Sequence, residues 1–294
     1  MQENQIHQDT DEDDERNRGV DERASSTKQT GKNAEHAVQE AQRQVAEARV
    51  PWYRAIKRGY VLLGVYAIQL ALFGVLAWWV HYHPVLAIDV AITRELQENQ
   101  TPWFHYLMLA VSYPGNVVWI SAGLIVVASY ILALVRLRLE SLILVVLCVS
   151  STLLNGLLKL IVARPRPTAS LVEIVQKAAG QSFPSGHVMA YLAFWGLLFS
   201  FGIILFKGKS WWRILLLVVS ALFVVLVGPS RIYLGSHWAS DVLGSYLIGG
   251  VLLGIALWIY LQLKERGVLE TKGARKRTQN SKLFRSFPKR KTFG

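Results

Sequence analysis

The chain has 294 residues, 52% of them hydrophobic and only 18% charged, against about a quarter charged in an ordinary soluble domain. Its net charge of +12 hides an asymmetry: residues 1–50 hold twelve Asp/Glu and seven Lys/Arg, whereas residues 264–294 hold eleven Lys/Arg and two Asp/Glu. With both ends polar, the apolar residues must crowd between them in runs of about twenty, which excludes a soluble globular enzyme, a disulfide scaffold and a wholly disordered chain. The single cysteine, Cys148, sits in an apolar run and reads as a buried, inert thiol.

In chain order, the acidic cluster from Asp9 to Glu15 stands where a signal peptide would carry a basic and then an apolar stretch, so no signal peptide is expected. Residues 1–32 are polar and aperiodic and are expected to be disordered. Val38, Ala41, Val45, Ala48 and Trp52 recur at helical spacing and predict a weak amphipathic helix from residue 33 onward. Six apolar segments follow, at 60–80, 116–135, 139–162, 188–206, 213–228 and 242–263. Most are long enough to cross a hydrocarbon core of ~30 Å, and the fifth is short. The fold expected is all-α: a six-span transmembrane bundle, residues 51–263, between a polar region (1–50) and a basic tail (264–294).

Trp78, Trp79, Trp211, Trp212, Trp258 and Tyr260 lie near segment ends and suggest interfacial belts. Arg54, Lys57 and Arg58, then Arg136 and Arg138, then Lys207, Lys209 and Arg213, and finally the tail all fall on one side if there are six crossings. The positive-inside rule makes that side cytoplasmic, with both termini inside and the connections 81–115, 163–187 and 229–241 outside. A helix lying at the interface is expected within 81–115. The pair His81 and His83 lacks a nearby third ligand for a catalytic metal. The basic tail predicts contact with an anionic cytoplasmic leaflet. Nucleic acid is not expected as a partner, because only Phe284, Phe287 and Phe293 interrupt the tail's charges.

Lys159, Arg164, Arg166, Lys177 and Arg231 break the charge rule by gathering at outer span ends, where costly ionisable groups invite a functional reading. Three patterns organise them. In Lys159-Leu-Ile-Val-Ala-Arg164-Pro165-Arg166-Pro167, the prolines stop a helix, so a lysine and a guanidinium can converge on a phosphate dianion. In Pro184-Ser185-Gly186-His187, Ser185 suits an N-cap, Gly186 admits a ligand to the backbone, and His187 can supply a proton. In Ser230-Arg231-x5-His237-x3-Asp241, a helix would put His237 and Asp241 on one face, with the carboxylate fixing the imidazole tautomer. Snorkelling anchors, a simple cap and a structural His–Asp pair are the bland alternatives. Their coincidence on one side of the membrane favours a joint site.

These three patterns resemble the signature of the type 2 phosphatidic acid phosphatase superfamily, with every signature position matched; the resemblance covers roughly residues 55–263. It implies a metal-independent phosphatase that uses no cofactor and works through a phosphohistidine. His237 would be the nucleophile, Asp241 its orienting base and His187 the acid. Lys159, Arg166, Ser185, Gly186 and Arg231 would hold the phosphoryl oxygens, with Arg164 and Ser230 in support. The implied substrate is a lipid phosphate, with undecaprenyl diphosphate, phosphatidylglycerophosphate and phosphatidic acid as candidates, and the expected setting is a plasma membrane with the site on its outer face. A vanadium haloperoxidase shares this phosphate cage, but its relatives are soluble. A lipid transporter would carry ionisable groups along mid-span, where Gln69 and Asn155 are the clearest polar residues and interhelical hydrogen bonding explains both.

Overall fold

A computed structural model describes residues 59–206, 208 and 210–269, together with Gln39. The chain divides into two units, Met1–Arg49 and Val50–Gly294; of the first, only Gln39 is described, helical and exposed. The expected disorder of 1–32, the amphipathic helix (Gln39 apart), the flank Arg54, Lys57 and Arg58, the pair Lys207 and Lys209, and the tail beyond Leu269 lie outside the described residues.

All regular secondary structure among the described residues is helical, without a strand. In order they form α1 (Gly59–Tyr82), α2 (Ala87–Gln97), α3 (Pro102–Asn116), α4 (Val118–Leu134), α5 (Arg138–Val162) and α6 (Gly186–Tyr191). A π-turn (Leu192–Gly196) follows, and then α7 (Leu197–Ile204), α8 (Trp211–Tyr233) and α9 (Ala239–Glu265). Five helical stretches are long and apolar enough to cross a membrane: Leu62–Tyr82, Arg138–Val162, Gly186–Ile204, Trp211–Tyr233 and Ala239–Glu265. Large apolar side chains such as Leu153 (69% exposed) and Leu160 (72%) point away from the bundle, as expected of a surface solvated by acyl chains.

Three expectations about the spans change. The segment at 116–135 is not a free-standing span: α4 counts as a sixth crossing only together with α3, from which it bends by 75°. The connection 81–115 holds two helices, α2 and α3, rather than one. The fifth span is not short, because α8 runs through Pro229 to Tyr233 and carries Arg231 on its last turn instead of in a loop. Trp78, Trp79, Trp211 and Trp258 are exposed as belt residues should be, but Tyr260 is fully buried. Its hydroxyl donates to Glu140 (2.8 Å), which also accepts from Lys264 (2.8 Å), tying the start of α5 to the end of α9.

Among the described residues, two of the buried apolar clusters frame α6. One joins Val111 of α3, Val188 and Tyr191 of α6, Val227 and Ile232 of α8 and Val242 of α9. The other joins Phe73 and Val80 of α1, Val162, Phe183, Met189 of α6 and Ile248 of α9. Val188 and Met189 therefore enter different clusters, and the short α6 is clamped from two sides with His187 beside it.

The connection between α5 and α6 has no regular structure, as its prolines dictate, yet it is stitched down along its length. Arg94 Nε donates to Leu171 O (2.9 Å). Gln97 Nε2 donates to Glu173 O (2.8 Å), and Gln97 Oε1 accepts from Glu173 N (3.1 Å). Trp238 Nε1 donates to Pro165 O (3.3 Å), Ser236 Oγ to Gln176 O (2.9 Å) and Gln176 N to Leu234 O (3.0 Å).

The turn after α8 depends on Gly235. Its φ is +66°, and a Cβ there would lie 2.1 Å from Glu173 O. A side chain at this position would be strained in both backbone and packing. Gly235→Ala is expected to lower stability by at least about 1–3 kcal/mol, read as a fall in the thermal unfolding midpoint in detergent; an unchanged midpoint would contradict this account of the turn.

Candidate active site

The last turns of α5 and α8 and the first turns of α6 and α9 meet at one end of the bundle, and they carry the three sequence patterns. All the expected site residues lie there. His187 stands in the field of Arg231, His237, Arg166 and Lys159, so the cations and imidazoles do share one locality.

His237 is delivered by the tight turn. Both Ser236 N and His237 N donate to Arg231 O (3.2 Å each), which accounts for the five-residue gap between Arg231 and His237. The imidazole is 2% exposed. Its Nδ1 faces Asp241 Oδ2 and Ser182 Oγ, each at 3.5 Å, and its Nε2 faces Arg166 Nη1 at 3.2 Å. A guanidinium only donates, so Nε2 carries the lone pair and Nδ1 the proton. Burial pushes this imidazole down to about 3, with Asp241 opposing the shift and Arg166 and Arg231 adding to it. The ring is therefore neutral near pH 7, with a free electron pair directed at the cations.

The expectation of one helix face for His237 and Asp241 is not met. His237 lies before the N-cap, Trp238, and Asp241 is the third residue of α9. The carboxylate instead reaches back over the helix start, where Oδ2 accepts from Trp238 N (2.9 Å) and from Ser182 Oγ. Ser185 is the N-cap of α6 by position, but its side chain makes no capping bond. Its N–H donates to Ser245 Oγ (2.6 Å), while its hydroxyl is buried without a partner. Gly186 makes room for Asn155: a Cβ would lie 3.1 Å from Asn155 Oδ1. Asn155 Nδ2 in turn donates to Pro184 O (3.1 Å). Asn155 Nδ2 also donates to Met189 Sδ of α6 (3.3 Å), the interhelical bond expected of Asn155; Gln69 Oε1, by contrast, is buried and unpartnered.

Lys159 Nζ donates to Gln181 O (2.5 Å), and Arg166 Nε to Ala179 O and Gly180 O (3.2 and 3.0 Å). Both cations thus brace the same stretch of loop. Arg231, 1% exposed, donates through Nη1 to Gln176 Oε1 (2.9 Å), to Asn116 Oδ1 (3.3 Å) and to Ser112 Oγ. Its Nε is buried and unpartnered. Arg231 Nε and Ser185 Oγ are thus buried polar atoms with unused capacity beside three cations, a donor set that matches a phosphoryl group. Ser230 serves packing instead, donating to Met108 O of α3 (2.7 Å). Lys177 is exposed.

Sequence reasoning missed three residues here. Asp89 of α2 is 1% exposed and shares Arg164 with Asp241. Arg164 Nη2 donates to Asp89 Oδ2 (2.7 Å), Nη1 to Asp241 Oδ1 (2.6 Å) and Nε to Pro84 O (2.9 Å). Ser240 N and Oγ complete the cluster on Asp89 Oδ1 and Oδ2 (2.8 and 2.5 Å). Ser182 and Asn116 are the others. His81 and His83 turn their Nδ1 atoms to the carbonyls of Val162 and Trp79 (2.9 and 3.3 Å). Among the described residues, no group of three or more His, Cys, Asp or Glu could hold a metal ion.

Fold and site together define a membrane-embedded helical bundle with a cationic, histidine-bearing cage at one end. Residues 140–265, which hold all three sequence patterns, match the PAP2 superfamily model. It is 28% identical over 177 residues to phosphatidylglycerophosphatase B of Bacillus subtilis, covering 60% of this chain and 85% of the relative. It is 28% identical over 170 residues to an undecaprenyl-diphosphatase of Sulfolobus acidocaldarius, covering 56% of this chain and 74% of the relative. The crystal structure of a transmembrane PAP2-type phosphatidylglycerolphosphate phosphatase from Bacillus subtilis superposes with a TM-score of 0.59 at 25% identity, covering 67% of this chain and 96% of that one. With five helices long and apolar enough to cross a membrane, the protein is an integral membrane protein similar to this family.

Two outcomes follow. Asp89→Ala leaves a buried guanidinium short of one partner and is expected to cost about 3–5 kcal/mol, measured as a loss of thermal stability in detergent. His237 sets an acid limit. The unfolded chain takes up a proton as pH falls below about 6.5, and the folded one only near 3. Stability is therefore intact above that window and declines as pH drops through it, by at most about 1.4 kcal/mol per pH unit. In His237→Asn this part of the slope between pH 7 and 4 should vanish.

Proposed function

We propose that the protein hydrolyses a lipid phosphate through a phosphohistidine formed on His237. One observation carries the reading: a neutral, buried imidazole aims its Nε2 lone pair into a cage of Lys159, Arg166 and Arg231, while its other nitrogen faces Asp241. Phosphoryl transfer needs in-line positioning and neutralised charge more than elaborate covalent chemistry. The three cations and the hydroxyl of Ser185 supply the neutralisation, and the N–H groups at the start of α6 can donate to the phosphoryl oxygens.

In the first step Nε2 of His237 attacks phosphorus, the P–O bond to the lipid breaks, and His187 donates a proton to the departing oxygen. The positive charge that develops on His237 falls beside the Asp241 carboxylate. In the second step water attacks phosphorus, His187 takes the water's proton, and the N–P bond breaks with its electron pair returning to Nε2. Phosphate leaves and the imidazole is neutral again.

Phosphatidylglycerophosphate and undecaprenyl diphosphate, the substrates that the relatives' names imply, are candidates here together with phosphatidic acid. The outward apolar faces of the bundle suit a substrate whose chain stays in the bilayer while its phosphate enters the cage. The basic flanks at Arg136, Arg138, Arg213 and Lys264 lie at the opposite end from the cage, which supports an extracytoplasmic site, cytoplasmic termini and a tail lying against anionic lipid in a plasma membrane.

The test is phosphate release by the purified, detergent-solubilised protein from these lipids, with and without chelator. Release should persist in chelator, disappear in His237→Ala and fall by about 10²–10⁴-fold in His187→Ala. Full activity of His237→Ala would remove the nucleophile assignment.

A further inference from the structure

Asn116 is the last residue of α3, at the 75° bend into α4, and it belongs to none of the three sequence patterns. Its Oδ1 lies 2.8 Å from His187 Nε2 and 3.3 Å from Arg231 Nη1. These two contacts determine more than their lengths suggest. Which end of an asparagine amide points where, and which imidazole nitrogen holds the proton, must be inferred from partners. Arg231 Nη1 can only donate, so the atom facing it must be the acceptor, Oδ1. His187 Nε2 faces the same oxygen and must therefore be the protonated nitrogen.

The ring is held in this pose from a second direction. A Cβ at Gly115 would lie 2.4 Å from His187 Cδ2 and 2.8 Å from Nε2, so the Cδ2–Nε2 edge rests against a backbone that has no side chain to displace it. Nδ1 is the ring atom opposite that edge, and no described residue hydrogen-bonds it. Val188 and Met189, the two residues that follow, anchor the backbone in separate apolar clusters.

We propose that Asn116 is a positioning residue that fixes the tautomer of His187, keeping a permanent proton on Nε2 so that Nδ1 is the nitrogen that exchanges a proton with the substrate. The inference rests on the phosphatase reading above and deepens it. With a phosphate dianion in the cage His187 takes up a proton on Nδ1, and in the first step that proton passes to the lipid oxygen as the P–O bond breaks, leaving a lone pair on Nδ1. In the second step that lone pair takes the proton from the attacking water as the N–P bond breaks, restoring the imidazolium. The proton on Nε2 stays there throughout, donated to Asn116 Oδ1, much as an asparagine orients the histidine of papain-like proteases.

Asn116 is exposed, so its replacement should leave the fold intact. Proton donation matters most for a poor leaving group, and this separates positioning of the acid from a general structural effect. For Asn116→Ala we expect kcat on decyl phosphate to fall about 10- to 100-fold, the range typical of a lost orienting partner. On 4-nitrophenyl phosphate, whose leaving group needs little protonation, the fall should be less than about threefold. Asn116→Asp, which retains an acceptor for Nε2–H, should recover most of the ratio between the two substrates. Equal losses on both, or no loss on decyl phosphate, would overturn the proposal while leaving the phosphatase reading standing.

A second measurement does not depend on turnover. In histidine-¹⁵N-labelled protein without substrate, where the ring is neutral, and with His187→Gln as the assignment control, His187 should be the Nε2–H tautomer, and Asn116→Ala should mix the two tautomers. An Nδ1–H tautomer in the unmodified protein, or an unchanged spectrum in Asn116→Ala, would sink the idea. If the unmodified protein hydrolyses neither substrate, the phosphatase reading fails, and this spectrum still decides the role of Asn116.

Discussion

A carboxylate sealed from water at the head of a membrane helix is the constraint on which this structure turns. Asp241 is 0% exposed, and an isolated charge there would be very costly. Arg164 offsets it from one side, while Ser182 and Trp238 N–H satisfy the other oxygen. Arg164 is itself shared with Asp89, so two carboxylates surround one guanidinium and the buried group keeps one negative charge in excess. That excess faces an imidazole that is neutral at rest and becomes cationic if it attacks phosphorus. The arrangement favours the charged state on the proposed reaction path more than the resting one, which is the electrostatic condition for catalysis.

Sequence reasoning reached the motif residues because each motif is contiguous and its chemistry can be read locally. The long apolar runs likewise revealed α1, α5, α8 and α9. What it missed came from elsewhere in the chain. Asp89 meets Ser240 across 151 positions, and Asn116 meets His187 across 71; no local periodicity signals such pairs. The bend between α3 and α4 left one usable sign, the Pro114-Gly115 dipeptide, a common mark of interrupted regular structure. Tyr260 was read as a belt residue because it sits near a span end, but Glu140 draws its hydroxyl inward. The spacing of His237 and Asp241 misled in a different way: four residues imply a shared helix face only if both belong to the helix, and His237 comes before it begins.

The match to the family model starts at residue 140 and ends at residue 265, so it contains α5 to α9 and all three motifs. Asp89 and Asn116 lie upstream of it, on α2 and α3. The first helices do more than complete a bundle: they carry one carboxylate to Arg164 and one amide to the second histidine. Two of the polar contacts that orient the centre thus belong to the part of the chain whose sequence is least diagnostic.

The stitching of the loop between α5 and α6 bears on how such a centre must work. Arg164, Pro165, Leu171, Glu173, Gln176 and Ser182 are each bonded to a neighbouring element. A segment fastened at so many points has little freedom to open and shut over a ligand. Exchange of substrate for product then falls to the lipid itself, drifting sideways out of the bilayer and back, with the protein serving as a rigid mould.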